Sequence, residues 1–185
     1  MGSSGWTSTS TPYLAPRAAG QPDAWTDEAG AKGRRGGQRI VEARQARATP
    51  EVAALLGLAE GQPVVVRRRV IELDGEPCEL TDTYYPADIA AGTPLAGTAK
   101  IPGGAVTLLA ALGHVGVRVT EDVTARMPSA GEREQLGLGE AEPLLRLSRV
   151  TYDATDRVIQ ADVMLMPAGR QQLRYEIRLA PSQPG

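Results

Sequence analysis

At 185 residues with a net charge of -2, a sequence pI of about 5.5 and 42% hydrophobic residues, the chain is long enough for one domain with a sizeable core. There is no Phe and only two Trp, so that core is mostly Val, Leu, Ile and Ala. The charge balance argues against a nucleic-acid surface, because a duplex binder carries a clustered basic face.

Residues 1–22 are rich in Ser, Thr, Gly, Pro and Ala without periodicity and are expected to form a flexible tail. The start, MGSSGWTSTSTPY, has neither the charged nor the apolar region of a secretory signal. No apolar run approaches the roughly 18–20 residues of a membrane helix, so a cytoplasmic protein without a membrane partner is expected. Pro22-Asp23 opens a short helix to about Lys32, with Asp23 as N-cap and Gly33 as stop. GRRGGQR is a solvated loop, and 39–48 alternates as a strand. Thr49-Pro50-Glu51 begins a second helix, with Thr49 at the N-cap, Pro50 in the first turn and Gly57 at the end. Strands at 63–73 and 77–85 are joined by a tight turn at Asp74-Gly75. A long connection with one helical turn follows, then a helix after Gly103-Gly104 that Gly113 closes, and a strand at 116–126. Ser129 and Glu132 have capping-box spacing for a helix to Leu136, and strands at 143–152, 157–166 and 172–179 complete the domain before a tail at 181–185.

The second half repeats the first. With Ala48 set over Pro128, the pairs Leu56/Leu136, Gly57/Gly137, Leu58/Leu138, Glu60/Glu140, Pro63/Pro143, Arg69/Arg149 and Val70/Val150 are identical. RIVEARQAR before one helix parallels RVTEDVTAR before the other, and Tyr85-Pro86 parallels Met166-Pro167. Each unit is strand, short helix, strand, hairpin strand. Two such units form one antiparallel sheet with helices against one face, an α+β domain with a pseudo-two-fold axis. A ligand pocket is expected between sheet and helices near that axis.

Three consecutive arginines, Arg67 to Arg69, interrupt the valines of the first hairpin. In a strand Arg68 shares a face with Val66 and Val70, while Arg67 and Arg69 share the other with Val65 and Ile71. Only Arg69 recurs in the repeat, as Arg149, so Arg67 and Arg68 read as solvated. Arg69 either pairs with Glu79 or Asp82 or points into the cleft to hold a carboxylate or phosphate. Cys78 and His114 are the only residues of their kinds, which excludes a disulfide framework, a thiolate metal cluster and a multi-histidine zinc site. His114 reads as a turn histidine past Gly113. No metal or cofactor is expected.

The Arg69 strand, Asp74-Gly75-Glu76-Pro77 and the closing Thr83-Tyr84-Tyr85-Pro86, with GGAVTLLAALG and the second half, resemble the UTRA domain. That is the effector-binding module of GntR-type bacterial transcription regulators of the HutC subfamily, and the resemblance spans about residues 24–180. It implies a chorismate-lyase-like fold, an internally duplicated antiparallel sheet with helices, over a domain at 23–180. Family members carry a winged-helix domain ahead of this module. The residues before Trp25 are too few for three helices and a wing, so no direct DNA binding by this chain is expected, whether it is a free-standing effector domain, a separated regulatory subunit, a truncated regulator or an excised domain. The resemblance places ligand contacts at Arg69, Ile71, Thr81, Gly104, Ala105, Val106, Gln160 and Met166. Relatives that sense phosphorylated amino sugars have a second arginine where Ile71 stands and glutamates at Thr81 and Gln160. They have a serine at Gly104 and tyrosines at Val106 and Met166. These departures disfavour a phosphosugar. A less polar small-molecule effector with one anionic or carbonyl group fits better, held by Arg69 and the backbone at Gly104-Ala105, while Met164 and Met166 also suit plain packing. A homodimer, or pairing with a full-length GntR-type regulator, is expected. A chorismate-lyase-type enzyme is the competing reading, with Gln160 where an acid is wanted, and no turnover is expected.

Overall fold

The computed structural model describes residues 5–18 and 20–177. Its frame is a six-stranded antiparallel sheet ordered β2-β3-β4-β7-β6-β5. The strands are β2 (Gly36–Arg47), β3 (Pro63–Leu73), β4 (Glu76–Pro86), β5 (Arg118–Arg126), β6 (Leu144–Tyr152) and β7 (Val158–Pro167). The first three form one half and the last three the other. They join where Leu80–Tyr84 of β4 pair with Leu165–Ala161 of β7, so the pseudo-two-fold axis runs between the two central strands.

Local chemistry shapes each unit in the same way. Helix α2 (Pro50–Leu56) is capped by the Thr49 hydroxyl, which accepts from the Val52 amide at 3.3 Å, and ends at Gly57 with φ 63°. Helix α5 (Ala130–Leu136) starts at the full Ser129–Glu132 capping box and ends at Gly137 with φ 58°. Left-handed closure at both ends requires glycine, which explains the identical Gly57/Gly137 pair. At the first hairpin Asp74 and Gly75 both have positive φ, the geometry of a two-residue turn. The Asp74 carboxylate accepts from the Arg35 amide at 2.8 Å and from Arg34 Nε at 2.6 Å, tying that turn to the start of β2. Helix α1 (Ala24–Ala31) is capped by Asp23 as expected, and β2 begins at Gly36, inside the segment expected to be a loop.

Helices cover both faces of the sheet, where the repeat suggested one. Helix α2 packs on Val64, Val150 and Ala161, and Leu136 and Leu138 at the end of α5 pack with Leu144, Leu80 and Leu165, all on one face. Each of these two helices thus reaches strands of the other half. The opposite face carries Val65, Tyr85 and Ile159 under α3 (Ala87–Ala90), a 3-10 turn at Pro94–Ala96 and α4 (Ala105–Ala111). Both faces of β3 alternate apolar side chains, so both need cover.

Arg67 is what holds that second cover down. Expected to be solvated, it is 5% exposed. Its guanidinium donates to the carbonyls of Pro94 (3.1 Å), Leu95 (3.4 Å) and Ala99 (3.3 Å), and to Gly97. Burial lowers its pKa and the neighbouring Arg69 charge lowers it further, so the carbonyl dipoles must offset an unfavourable placement.

The N-terminal segment also departs from expectation, because residues 5–18 are folded against the domain rather than forming a tail. Strand β1 (Trp6–Ser8) pairs in parallel with β8 (Gln171–Leu173) as a separate two-stranded sheet. The Trp6 ring stands edge-on to Trp25 at 5.1 Å, and Lys32 lies 3.6 Å over it. The expected strand at 172–179 is therefore shorter: residues 174–177 have no regular structure, and 178–179 and the 181–185 tail lie outside the described residues. Among the described residues no helix is long and apolar enough to cross a membrane.

Two stability measurements test this frame. Thr49→Ala and Ser129→Ala should each cost about 1 kcal/mol in urea unfolding, and a negligible loss at either would remove the equivalence of the two caps. Arg67→Met should cost about 3 kcal/mol because it orphans several carbonyls at once, whereas a loss within error would show that the connection does not depend on that clamp.

Candidate functional site

Across-strand register turns one sheet face into rows of side chains. One row runs Arg67, Thr83, Asp162, Arg149, Glu121 from β3 to β5. The next runs Ile40, Arg69, Thr81, Met164, Leu147. Beyond it Ile71 pairs with Glu79, and Met166 lies on the neighbouring strand. Above these rows lies a cavity of about 190 Å³. Its far wall is the N-terminal segment from Ser8 to Arg17, the start of α1, and the backbone from Ile101 to Val106. The charged row is thus the floor at one side, and the two less polar rows line the body.

The floor is closed by protein partners. Arg149 Nε donates to Glu121 at 2.6 Å and its Nη2 to Ser10 at 3.0 Å; this ion pair is buried, with each side chain 10% exposed. The Arg149 charge and the Ser10 hydroxyl hold the Glu121 carboxyl below its usual range, against the opposing effect of burial. Asp162 accepts from Thr83 at 2.6 Å and from the Gln160 amide at 2.7 Å. Arg69 donates through Nη2 to Thr83 at 2.9 Å and reaches Asp162 only through that hydroxyl. Its Nε is buried without a partner. Neither carboxylate considered for it from the sequence pairs with it: Asp82 bridges to Arg68 at 3.1 Å on the other face, and Glu79 accepts from Thr81.

The repeat explains why the two related arginines differ. Opposite Arg149 on the edge strand stands Glu121, whereas opposite Arg69 stands Ile40. The same backbone position therefore carries a closed ion pair in one half and a guanidinium with no carboxylate facing it in the other. A guanidinium so placed can accept a planar anion from the cavity.

All eight residues named from the sequence line this single cavity: Arg69, Ile71, Thr81, Gly104, Ala105, Val106, Gln160 and Met166. Gly104 precedes α4 with φ 85° and makes no side-chain cap, so the wall there is bare backbone. Sequence reasoning weighed Glu79 only as a partner for Arg69, not as a cavity group of its own, and missed the N-terminal wall. Glu79 was legible as a residue two positions from Thr81, hence on its face of the strand. The N-terminal wall carried one signal, two large aromatics in a chain short of them: Trp6, and Tyr13 bonded to Glu28. Backbone also anchors this wall, the Arg17 amide donating to Thr107 at 3.0 Å. Cys78 lines the cavity, but burial, with Glu79 and Glu72, pushes its thiol up to about 12, so it is a protonated wall group. His114 does not line this cavity, and the structure brings no Cys-His pair together there.

Comparison with known proteins shows the family and the fold. The UTRA domain family matches residues 31–172. An uncharacterized HTH-type transcriptional regulator of Streptomyces coelicolor is 28% identical over 139 residues, which is 74% of this chain and 52% of that protein. The HTH-type transcriptional repressor PhnF of Mycolicibacterium smegmatis is 29% identical over 136 residues, 74% of this chain and 55% of that one. The chain thus spans about half the length of these curated relatives. The crystal structure of the effector domain of PhnF from Mycobacterium smegmatis superimposes with a TM-score of 0.72 at 26% identity, covering 89% of this chain and 98% of that domain. The chain belongs to the UTRA family, the effector-binding domains of GntR-type transcription regulators.

Proposed function

We propose that the cavity binds a small effector with one anionic or carbonyl group on an otherwise apolar body, and that Arg69 holds that group. The observation behind this is the contrast between Arg149, satisfied by Glu121 and Ser10, and Arg69, which faces the cavity without a carboxylate partner. Around Arg69 stand Ile40, Ile71, Met164 and Met166, side chains that desolvate a ligand without offering it hydrogen bonds. A sugar phosphate would find few partners for its hydroxyls on these rows. Thr81 and Gln160 are already bonded to Glu79 and Asp162, and Val106 and the backbone at Gly104-Ala105 serve as wall.

In this reading the chain senses a cytoplasmic metabolite and acts in transcription control as a homodimer or beside a full-length GntR-type regulator. It binds no DNA by itself: net charge is -2, and Arg67, Arg69 and Arg149 turn toward the cavity instead of outward. It is not an enzyme. Arg67, Arg149 and Asp162 are held by protein partners, and Gln160 occupies the strand position where proton transfer would want an acid.

Calorimetric titration with hexanoate, a small carboxylate with an apolar body, tests the assignment. Arg69→Met should weaken hexanoate binding at least about tenfold, the worth of one charge-assisted hydrogen bond. Equal binding by Arg69→Met and the parent chain would remove Arg69 from the site. In a gel-shift series the chain alone should leave duplex DNA unretarded at physiological salt, and a salt-sensitive shift would contradict the assignment of its arginines to the interior.

A further inference from the structure

Glu79 is the acid in this cavity that no protein cation claims. It is half-buried, lines the cavity, is paired across the strands with Ile71, and its one side-chain hydrogen bond comes from the Thr81 hydroxyl. Among the described residues it forms no ion pair. The charged and titratable groups that face it are Arg69 from β3, Arg149 from β6, Asp162 from β7, Tyr13 from the N-terminal wall, and its neighbour Cys78. Each of the other charges on the floor is engaged: Arg67 with backbone carbonyls, Arg149 with Glu121, and Asp162 with Thr83 and Gln160. On the floor Arg67, Arg69 and Arg149 balance Glu121, Asp162 and Glu79 when Glu79 is ionised, and on the walls Arg17 pairs with Asp27 and Lys100 with Asp23.

An anion bound at Arg69 adds a second negative charge to an enclosed, weakly solvated space. A buried carboxylate in that position neutralises more easily than it stays charged. We propose that Glu79 takes up one proton from solvent as an anion settles against Arg69, so that the cavity admits a monoanion together with a proton and keeps its net charge. The bookkeeping is one carboxylate becoming one carboxyl, with the ligand's own charge unchanged. The neutral carboxyl then has a hydrogen to donate to the ligand. Burial already raises the Glu79 pKa, and Asp162 adds to this, while the Thr81 hydroxyl, Arg69 and Arg149 pull it down. A bound anion pushes it further up. Affinity for an anion is therefore level below the free-state pKa of Glu79, and falls as pH rises through the interval up to its bound-state pKa. Glu79 thereby sets the charge specificity of the site, favouring anions over neutral isosteres increasingly as pH falls.

The inference rests on the cavity reading above, and calorimetry with hexanoate and its neutral amide, hexanamide, separates the two. Titrations of the chain run between about pH 6 and pH 9, in phosphate and in Tris, whose ionisation enthalpies differ. The expected result for hexanoate is an affinity that drops at least about tenfold with rising pH, one pKa unit of linkage, and an enthalpy that differs between buffers. Hexanamide should show neither. Glu79→Gln should bind hexanoate with pH-independent affinity and the same enthalpy in both buffers. Hexanoate binding by the parent chain without pH or buffer dependence would sink the proton uptake and leave the cavity reading standing. The same uptake persisting in Glu79→Gln would assign it to another group and equally overturn the proposal. No hexanoate binding at any pH would overturn the cavity reading and this inference with it. If Glu79→Gln does not fold, Glu79→Met serves in its place: the buffer comparison on the parent chain tests the uptake itself, and loss of that uptake in the variant assigns it to Glu79.

Discussion

The ladder between β4 and β7 is the constraint on which the rest of the molecule depends. It joins the halves, and strand periodicity then commits every residue on four strands to one face or the other. With Thr81 opposite Met164 and Thr83 opposite Asp162, Glu79, Thr81 and Thr83 of β4 and Gln160, Asp162, Met164 and Met166 of β7 lie on the cavity face. Leu80, Ala161 and Leu165 look toward the helices that cross the axis. A slip of one residue would carry Asp162 and the arginines under α2 and α5 and bring leucines into the cavity. Hydrophobic burial on the helix side therefore positions the polar groups on the other.

Duplication supplies the rows, and divergence between equivalent positions supplies the site. Arg69 and Arg149 descend from one position, but Ile40 faces one and Glu121 the other. Thr81 corresponds to Asp162, and Glu79 to Gln160, because the second hairpin has a longer loop closed by Asp153. One half thus holds a bonded set of charges, and the other leaves a cation and an acid that answer to whatever enters. The asymmetry comes from a few substitutions on a common backbone.

Much of this was readable in the chain. Thr49, Ser129, Gly57, Gly137 and Asp74-Gly75 act within a few residues of themselves, so their chemistry is visible locally. The repeat and the family resemblance carried the architecture, and all eight residues named from the resemblance share one cavity. Arg67 was misread because both faces of β3 are buried. Alternation then cannot separate a solvated arginine from one clamped to carbonyls some thirty positions along the chain. The second covered face was missed for the same reason. The N-terminal wall was hidden by its composition, since Ser, Thr and Pro give no period, and besides the nearby α1 it is held by β8 and Thr107, both far from it in sequence.

The pairing of β1 with β8 has a mechanical consequence. These two short strands run parallel, and they are the first and last elements described, so the chain enters along one and leaves along the other. A pull applied through the two ends shears three paired positions, Trp6 with Gln171 through Ser8 with Leu173, before it loads the long ladders of the main sheet. Those same residues lead directly into the segment that walls the cavity. Tension applied through either end therefore reaches the segment that walls the cavity before it reaches the main sheet.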